Sequence, residues 1–329
     1  MILLPFGMLV NEEFNIKSTT GLPCGAKFAF SIFDDTDNAT IDNCKPVYDY
    51  LITKGILTTK SVWAYPPRGD YLGGSLADEK YLDWVLALKK SGVEIGLHNV
   101  GDGSFSRAEI VSGLGIFEKL VGHLPKVHTN HVSNPDNLYW WDQRFVSPIN
   151  MLYRVFYFLK RRKKVPDGGH SVKGRHFWGD IAKQKIKYVR NLTFSDINTL
   201  ACDPKMPWHD PNKPYVNYWF SSSDGHNASV FNDLLSPTNL DKLENESGVC
   251  IVYTHFASGF VDKDGNLDPA FKASIDDLSS RNGWFVPCGQ LLDHLFEQQK
   301  TSSVSYWYIL SRNVIWFKER LNKFINYRM

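Results

Sequence analysis

The feature that most constrains the fold is alternation: short β-rich runs are followed, again and again, by amphipathic helical stretches. "KFAFSIF" (27–33) precedes "IDNCKPVYDYLITKG", and "SVWAYP" (61–66) precedes "LADEKYLDWVLALKKSG", whose Leu82, Val85, Leu86 and Leu88 keep helical spacing up to a Gly stop. "VEIGLHN" (93–99) leads to a helix opened by a capping box of Ser106 and Glu109, and "KVHTNH" (126–131) is the next strand. Later, "YVNYWFSSS" (215–223), "VCIVYTHF" (249–256) and "WFVPC" (284–288) read as strands, with helices over 268–281 and in "GQLLDHLFEQQK". Such alternation implies parallel strands covered by helices, hence a (β/α) barrel or a doubly wound sheet. No G-x-G-x-x-G or G-x-x-x-x-G-K-[ST] stands at a strand–helix junction, which disfavours the nucleotide-binding versions.

In parallel α/β folds the site forms at the carboxyl ends of the strands, so polar residues that finish an apolar run are the ones to collect. The first run ends in Asp34 and Asp35, the third in His98, the fourth in His128 and His131, and the run 249–256 in Thr254 and His255. Two adjacent buried carboxylates repel, and a divalent cation relieves the repulsion. Carboxylate oxygen and imidazole nitrogen without cysteine suit zinc or another first-row divalent ion, whose open positions hold a water made acidic by the metal. One aspartate would then hold the metal and its neighbour act as base; the bland alternative is a helix cap, since "DDTDNAT" is also a good cap sequence.

These runs resemble the polysaccharide deacetylase family, metal-dependent enzymes that remove acetyl groups from amino sugars on a distorted (β/α) barrel. "FAFSIFDDTD" is similar to the family's T-F-D-D-G motif, "EIGLHNVGD" to its H-[ST]-x-x-H motif, and "CIVYTHF" to the late strand that delivers a catalytic histidine. The match spans about 26–135 and 214–297. The resemblance implies that Asp34 is the general base, Asp35 and His98 bind metal, and His255 is the general acid. The sequence departs from the family where Thr36 replaces the glycine and Asp102 falls at the second metal histidine. The third ligand is therefore Asp102, or His128 or His131, with the two histidines preferred. "VHTNHVSN" stands where R-x-P-Y is expected and has no arginine, leaving His128 as a candidate to orient the base.

The domain plan that follows is an apolar lead-in (1–25), a barrel (26–300) interrupted by an insertion at about 135–214, and an amphipathic basic-aromatic helix (301–329). The start, "MILLPFGMLV", is followed by Asn11, Glu12 and Glu13 and is too short to span a bilayer; it reads as a docked lead-in or a fragment of a signal or anchor. In the insertion, Trp178, Trp208, His209 and Asp210 are candidates to bind a sugar, an aromatic face beside hydrogen-bonding groups; the alternative is that the tryptophans fill the core. In the tail, Trp307, Leu310, Val314, Phe317, Leu321 and Phe324 follow helical steps.

A formal charge of +2 gives no reason to expect nucleic acid, but residues 151–164, "MLYRVFYFLKRRKK", hold six Lys or Arg and no acid. With the tail, this segment could seat the protein on the inner face of an anionic membrane, where a glycolipid would be presented. Five scattered cysteines argue for a reducing compartment, hence a cytoplasmic protein. The expected activity is metal-dependent removal of acetyl from an acetamido sugar of a cell-envelope polysaccharide or glycolipid precursor. The rivals are a metal amidohydrolase or glycosidase on the same scaffold, and a metal-free glycan-binding protein on a decayed barrel.

Overall fold

The structure is a computed structural model, and it describes residues 21–159, 168–299 and 302–326. Residues 1–20 of the expected lead-in (1–25) and the basic residues 160–164 lie outside the described residues. The described residues form eight strands: β1 (Phe28–Asp34), β2 (Thr59–Val62), β3 (Glu94–His98), β4 (Val127–Thr129), β5 (Tyr188–Phe194), β6 (Tyr218–Asp224), β7 (Val249–Thr254) and β8 (Gly283–Phe285). All pair in parallel, β1 through β7 run in sequence order, and β1 pairs with both β7 and β2, so seven strands close a barrel. The expected (β/α) barrel is the observed fold.

The barrel is distorted at its seam. Phe28, Ala29 and Phe30 of β1 pair with β8, whereas Phe33 and Asp34 on the same edge pair with Thr59 and Lys60 of β2. The closing contact is thus two residue pairs long, and it brings Lys60 beside Asp34. Strand β1 is buried along its whole length, which explains its unbroken apolar run: both faces are covered. The capping box of Ser106 and Glu109 forms at the head of the helix Arg107–Val121, and Gly122 ends that helix at φ 85°, a left-handed conformation that glycine adopts without penalty.

The expected insertion is corrected. Residues 188–194 of the proposed insertion are barrel strand β5, between β4 and β6, so the non-barrel segments lie on either side of it. The tail helix, Tyr306–Asn326, docks on the barrel with a face rotated from the expected one. Ile309, Asn313 and Trp316 are buried while Trp307 and Leu321 are exposed. Asn313 accepts from the Val146 backbone N–H at 2.9 Å, and the Trp316 ring lies 4.8 Å from that of Phe145. A count of apolar spacing misses this face because Asn313 belongs to it. Among the described residues no helix is long and apolar enough to cross a membrane, and all five cysteines are free.

Candidate metal centre

The end of β1 and the turn after it carry three carboxylates, Asp34, Asp35 and Asp37, with three different surroundings. Asp34 is fully enclosed: its Oδ2 accepts from Lys60 Nζ and from the Tyr48 hydroxyl, both at 2.8 Å, and its Oδ1 accepts from the Phe256 backbone N–H at 2.9 Å. Burial alone would discharge Lys60, but the Asp34 charge outweighs it and holds the ammonium well above its ordinary pKa. This corrects the expectation that Asp34 is the general base, since its lone pairs are occupied and it does not line the cleft.

Asp37, which sequence reasoning passed over, takes the place expected of Asp35. Its Oδ1 lies 3.2 Å from His98 Nε2 and 3.1 Å from His131 Nε2, and all three are buried atoms without a hydrogen-bond partner. The partners on the far side of each ring fix the tautomers. His98 directs Nδ1–H at Thr129, 2.7 Å from its hydroxyl and 3.2 Å from its carbonyl. His131 Nδ1 lies 3.3 Å from Ser133 Oγ and 3.5 Å from Asp102 Oδ1, while the His131 backbone N–H donates to Asn99 Oδ1 at 2.8 Å. Both Nε2 atoms thus face one carboxylate oxygen, an arrangement that repels unless a proton or a metal cation stands among them. Asp37, His98 and His131 form the one group of possible metal ligands among the described residues, their ligand atoms within 4.8 Å of one another.

Of the alternative third ligands, His131 joins this cluster and the other two do not. Asp102 sits behind His131, its Oδ2 accepting from the Tyr71 backbone N–H at 2.9 Å. His128 is fully buried with its ring 5.4 Å from Trp178; burial lowers its pKa to about 3 and leaves it neutral. Nor is His128 the group that fixes Asp35. That place belongs to Arg190 of β5, whose two terminal nitrogens donate to both oxygens of Asp35, one of them at 3.0 Å. Burial would raise the pKa of Asp35, but the charge of Arg190, with that of His255, outweighs it and holds the carboxyl below the ordinary range. Asp35 is thus bound to Arg190 and does not belong to the ligand cluster.

His255 completes the group from the end of β7. Its Nδ1–H donates to the His226 carbonyl at 2.9 Å, and its Nε2 faces Asp37 Oδ2 at 3.2 Å. Burial opposes the charge on this imidazole, yet Asp37 and Asp35 raise its pKa to about 9. Asp35, Asp37, His98 and His255 open onto a cleft of about 500 Å³ at the carboxyl ends of the strands.

The residues expected to bind sugar lie elsewhere. Trp178 is buried with its indole N–H on the Asp136 carbonyl (2.7 Å), and Trp208 is buried with its indole N–H on Asp203 (3.0 Å). His209 Nδ1 contacts the Asn217 carbonyl at 2.9 Å, and Asp210 is paired with Lys213 at 3.1 Å. The side-chain polar contacts of these four stay within the non-barrel segments, whereas the cleft is walled by Tyr71, Trp140, Arg144, Tyr253, Trp316 and Arg320.

No protein-family model matches the sequence, and no curated protein matches it. Among solved structures, the peptidoglycan deacetylase PdaC from Bacillus subtilis is similar at 13% identity and TM-score 0.38, over 83% of this chain and 93% of that one. A family 4 acetyl xylan esterase from Clostridium thermocellum, solved with a cobalt ion, is similar at 14% identity and TM-score 0.38, over 83% of this chain and 92% of that one. Likenesses of this size leave the chemistry to be read from the side chains of this chain.

Proposed function

We propose that the protein is a metal-dependent deacetylase of acetylated sugars, a divergent relative of the polysaccharide deacetylases. The observation that carries the reading is the convergence of Asp37 Oδ1, His98 Nε2 and His131 Nε2, partnerless and buried, beside an arginine-bound aspartate and a histidine. One carboxylate oxygen and two imidazole nitrogens, with the cleft on their open side, suit zinc or another first-row divalent ion. When bound, such an ion supplies Lewis acidity toward water and toward an acyl carbonyl.

The chain's own residues supply the rest. Asp35, fixed in orientation and kept ionised by Arg190, accepts a proton from the attacking water. His255, protonated on Nε2 while Nδ1–H stays on the His226 carbonyl, gives a proton to the leaving nitrogen. Aromatic rings of Tyr71, Trp140 and Trp316 and the amides of Asn38, Asn130 and Asn191 face the same cleft, a lining that suits the apolar faces and hydroxyl edges of a sugar ring. The reading is tested by metal content per chain after purification without added metal, followed by acetate release from N-acetylated oligosaccharides. About one divalent ion per chain in the wild type, lost in His98→Ala, is expected; a wild type that takes up no zinc would remove this mechanism and favour a glycan-binding role.

One observation supports a membrane-facing reading as well. The helix Ile149–Leu159 exposes Met151, Leu152 and Val155 and leads into the basic sequence 160–164. An exposed apolar strip followed in sequence by clustered cations suits an anionic lipid surface. Cosedimentation with vesicles containing phosphatidylserine, lost in the Met151→Asp/Val155→Asp double variant, is expected; equal binding to neutral vesicles would sink the idea.

A further inference from the structure

One part of the cleft lining carries charges that do not cancel. Three guanidinium groups line the cleft, those of Arg144, Arg190 and Arg320. Arg190 is matched by Asp35. Arg320, carried by the tail helix, reaches Asp224 only at 3.6 Å, and that carboxylate already meets Lys323 at 3.0 Å and His226 at 2.8 Å. Arg144 has no carboxylate within ion-pair distance among the described residues; one arm donates to the Asn191 carbonyl at 2.6 Å, and its buried Nε has no hydrogen-bond partner. Burial, with Arg320 and Arg190 nearby, lowers its pKa to about 9.

A guanidinium withdrawn from water without a counter-ion destabilises the fold that holds it, and an anion from outside relieves that cost. The same wall supplies flat faces: Arg144 Cζ stands 3.8 Å from the Trp140 ring centroid and Arg320 Cζ stands 5.4 Å from that of Trp316. We propose that this part of the cleft is a subsite for an anionic group on the glycan, a carboxylate or a phosphate, held by Arg144 and Arg320 while Trp140 and Trp316 face the sugar that bears it. The substrate class is then an acidic acetylated glycan, an inference that rests on the deacetylase reading for the word substrate but not for the binding of the anion. Planar guanidinium forks match both carboxylate and phosphate oxygens, so the two sources are separated by experiment.

The test titrates the zinc-loaded full chain at low salt with three probes, by tryptophan fluorescence and calorimetry. The probes are neutral chitotetraose, a tetrasaccharide alternating N-acetylglucosamine with glucuronate, and a chitotetraose phosphate monoester. One of the two acidic probes is expected to bind about ten- to a hundredfold more tightly than the neutral one, the size of one charge-assisted contact. Which of them does so names the anion. Arg144→Gln and Arg320→Gln should each bring the ratio down about tenfold, and Arg144→Lys, which keeps the charge if Gln disturbs folding, should retain part of it. Equal affinity for neutral and acidic probes, or a ratio unmoved in both Gln variants, would overturn the subsite. Acetate release is followed on the same probes. Preference for the acidic probe without acetate release would overturn the deacetylase reading and uphold the subsite; equally efficient acetate release from all three, with no difference in affinity, would do the reverse.

Discussion

Asp34 and Asp37 leave the same strand three positions apart, both buried, and their surroundings are opposite. Around Asp34 the barrel provides a cation, a hydroxyl and a backbone N–H. Around Asp37 it provides the Nε2 atoms of His98 and His131 on one oxygen and that of His255 on the other. The first set is complete as a salt bridge, whereas the second leaves Asp37 Oδ1 and two imidazole nitrogens buried without a hydrogen-bond partner, the place for a cation from outside. A buried carboxylate is therefore assigned by the charge of its neighbours rather than by its place in a motif.

The contrast gives its largest expected effect at Asp37. Asp37→Ala removes the charged ligand, so bound metal should fall from about one ion per chain to none and acetate release to background; elemental analysis of the purified variant reads this directly, and a variant that keeps its metal would dissolve the contrast. Next comes Asp35→Asn, which should keep the metal and lose about 10²- to 10⁴-fold in turnover, the usual size of a general-base contribution. Unchanged turnover in that variant would mean that the arginine-bound aspartate is not the base.

Asp34→Asn should act on the fold instead. Removing one partner of a buried pair leaves Lys60 uncompensated, at a cost of about 3–5 kcal/mol by denaturant unfolding, while metal per folded chain stays at the wild-type level. The Asp34→Leu/Lys60→Met double variant should recover most of that loss, because the unpaired charge goes with its partner. Metal loss in Asp34→Asn at full stability would reverse the assignment of the two carboxylates.

Much of this was legible in the sequence. The buried runs, their helical intervals and the capping box at Ser106 rest on local patterns of spacing, and the polar ends of β1, β3 and β7 do gather at one end of the barrel. What escaped depends on register and on distant packing. Strand β5, "YVRNLTF", was hidden in a stretch whose turns and Pro-rich loops break the alternation, and with it went Arg190, the arginine that seemed missing near residue 128. The adjacent pair in "DDTD" drew attention from its third acid, because nothing local says that Lys60 will fall beside Asp34 across a two-pair seam. Trp316 and Arg320 reach the cleft only because the tail helix docks by a face that includes a polar Asn313.

The smallest effect tests how far the open set extends. Asp102, expected as a possible ligand, stands behind His131, its Oδ1 3.5 Å from Nδ1 and its Oδ2 held by the Tyr71 backbone N–H. In that position its charge favours the tautomer that leaves Nε2 free, and it touches no ion itself. Asp102→Asn should keep the metal at saturation but weaken its binding about 10- to 100-fold, seen in competition with a chelator. His131→Ala, by contrast, should abolish stoichiometric binding. If Asp102→Asn emptied the site as completely as His131→Ala, Asp102 would be a ligand and the cluster would have two carboxylates; if it had no effect, Ser133 Oγ, 3.3 Å from the same Nδ1, would be the group that sets the ring.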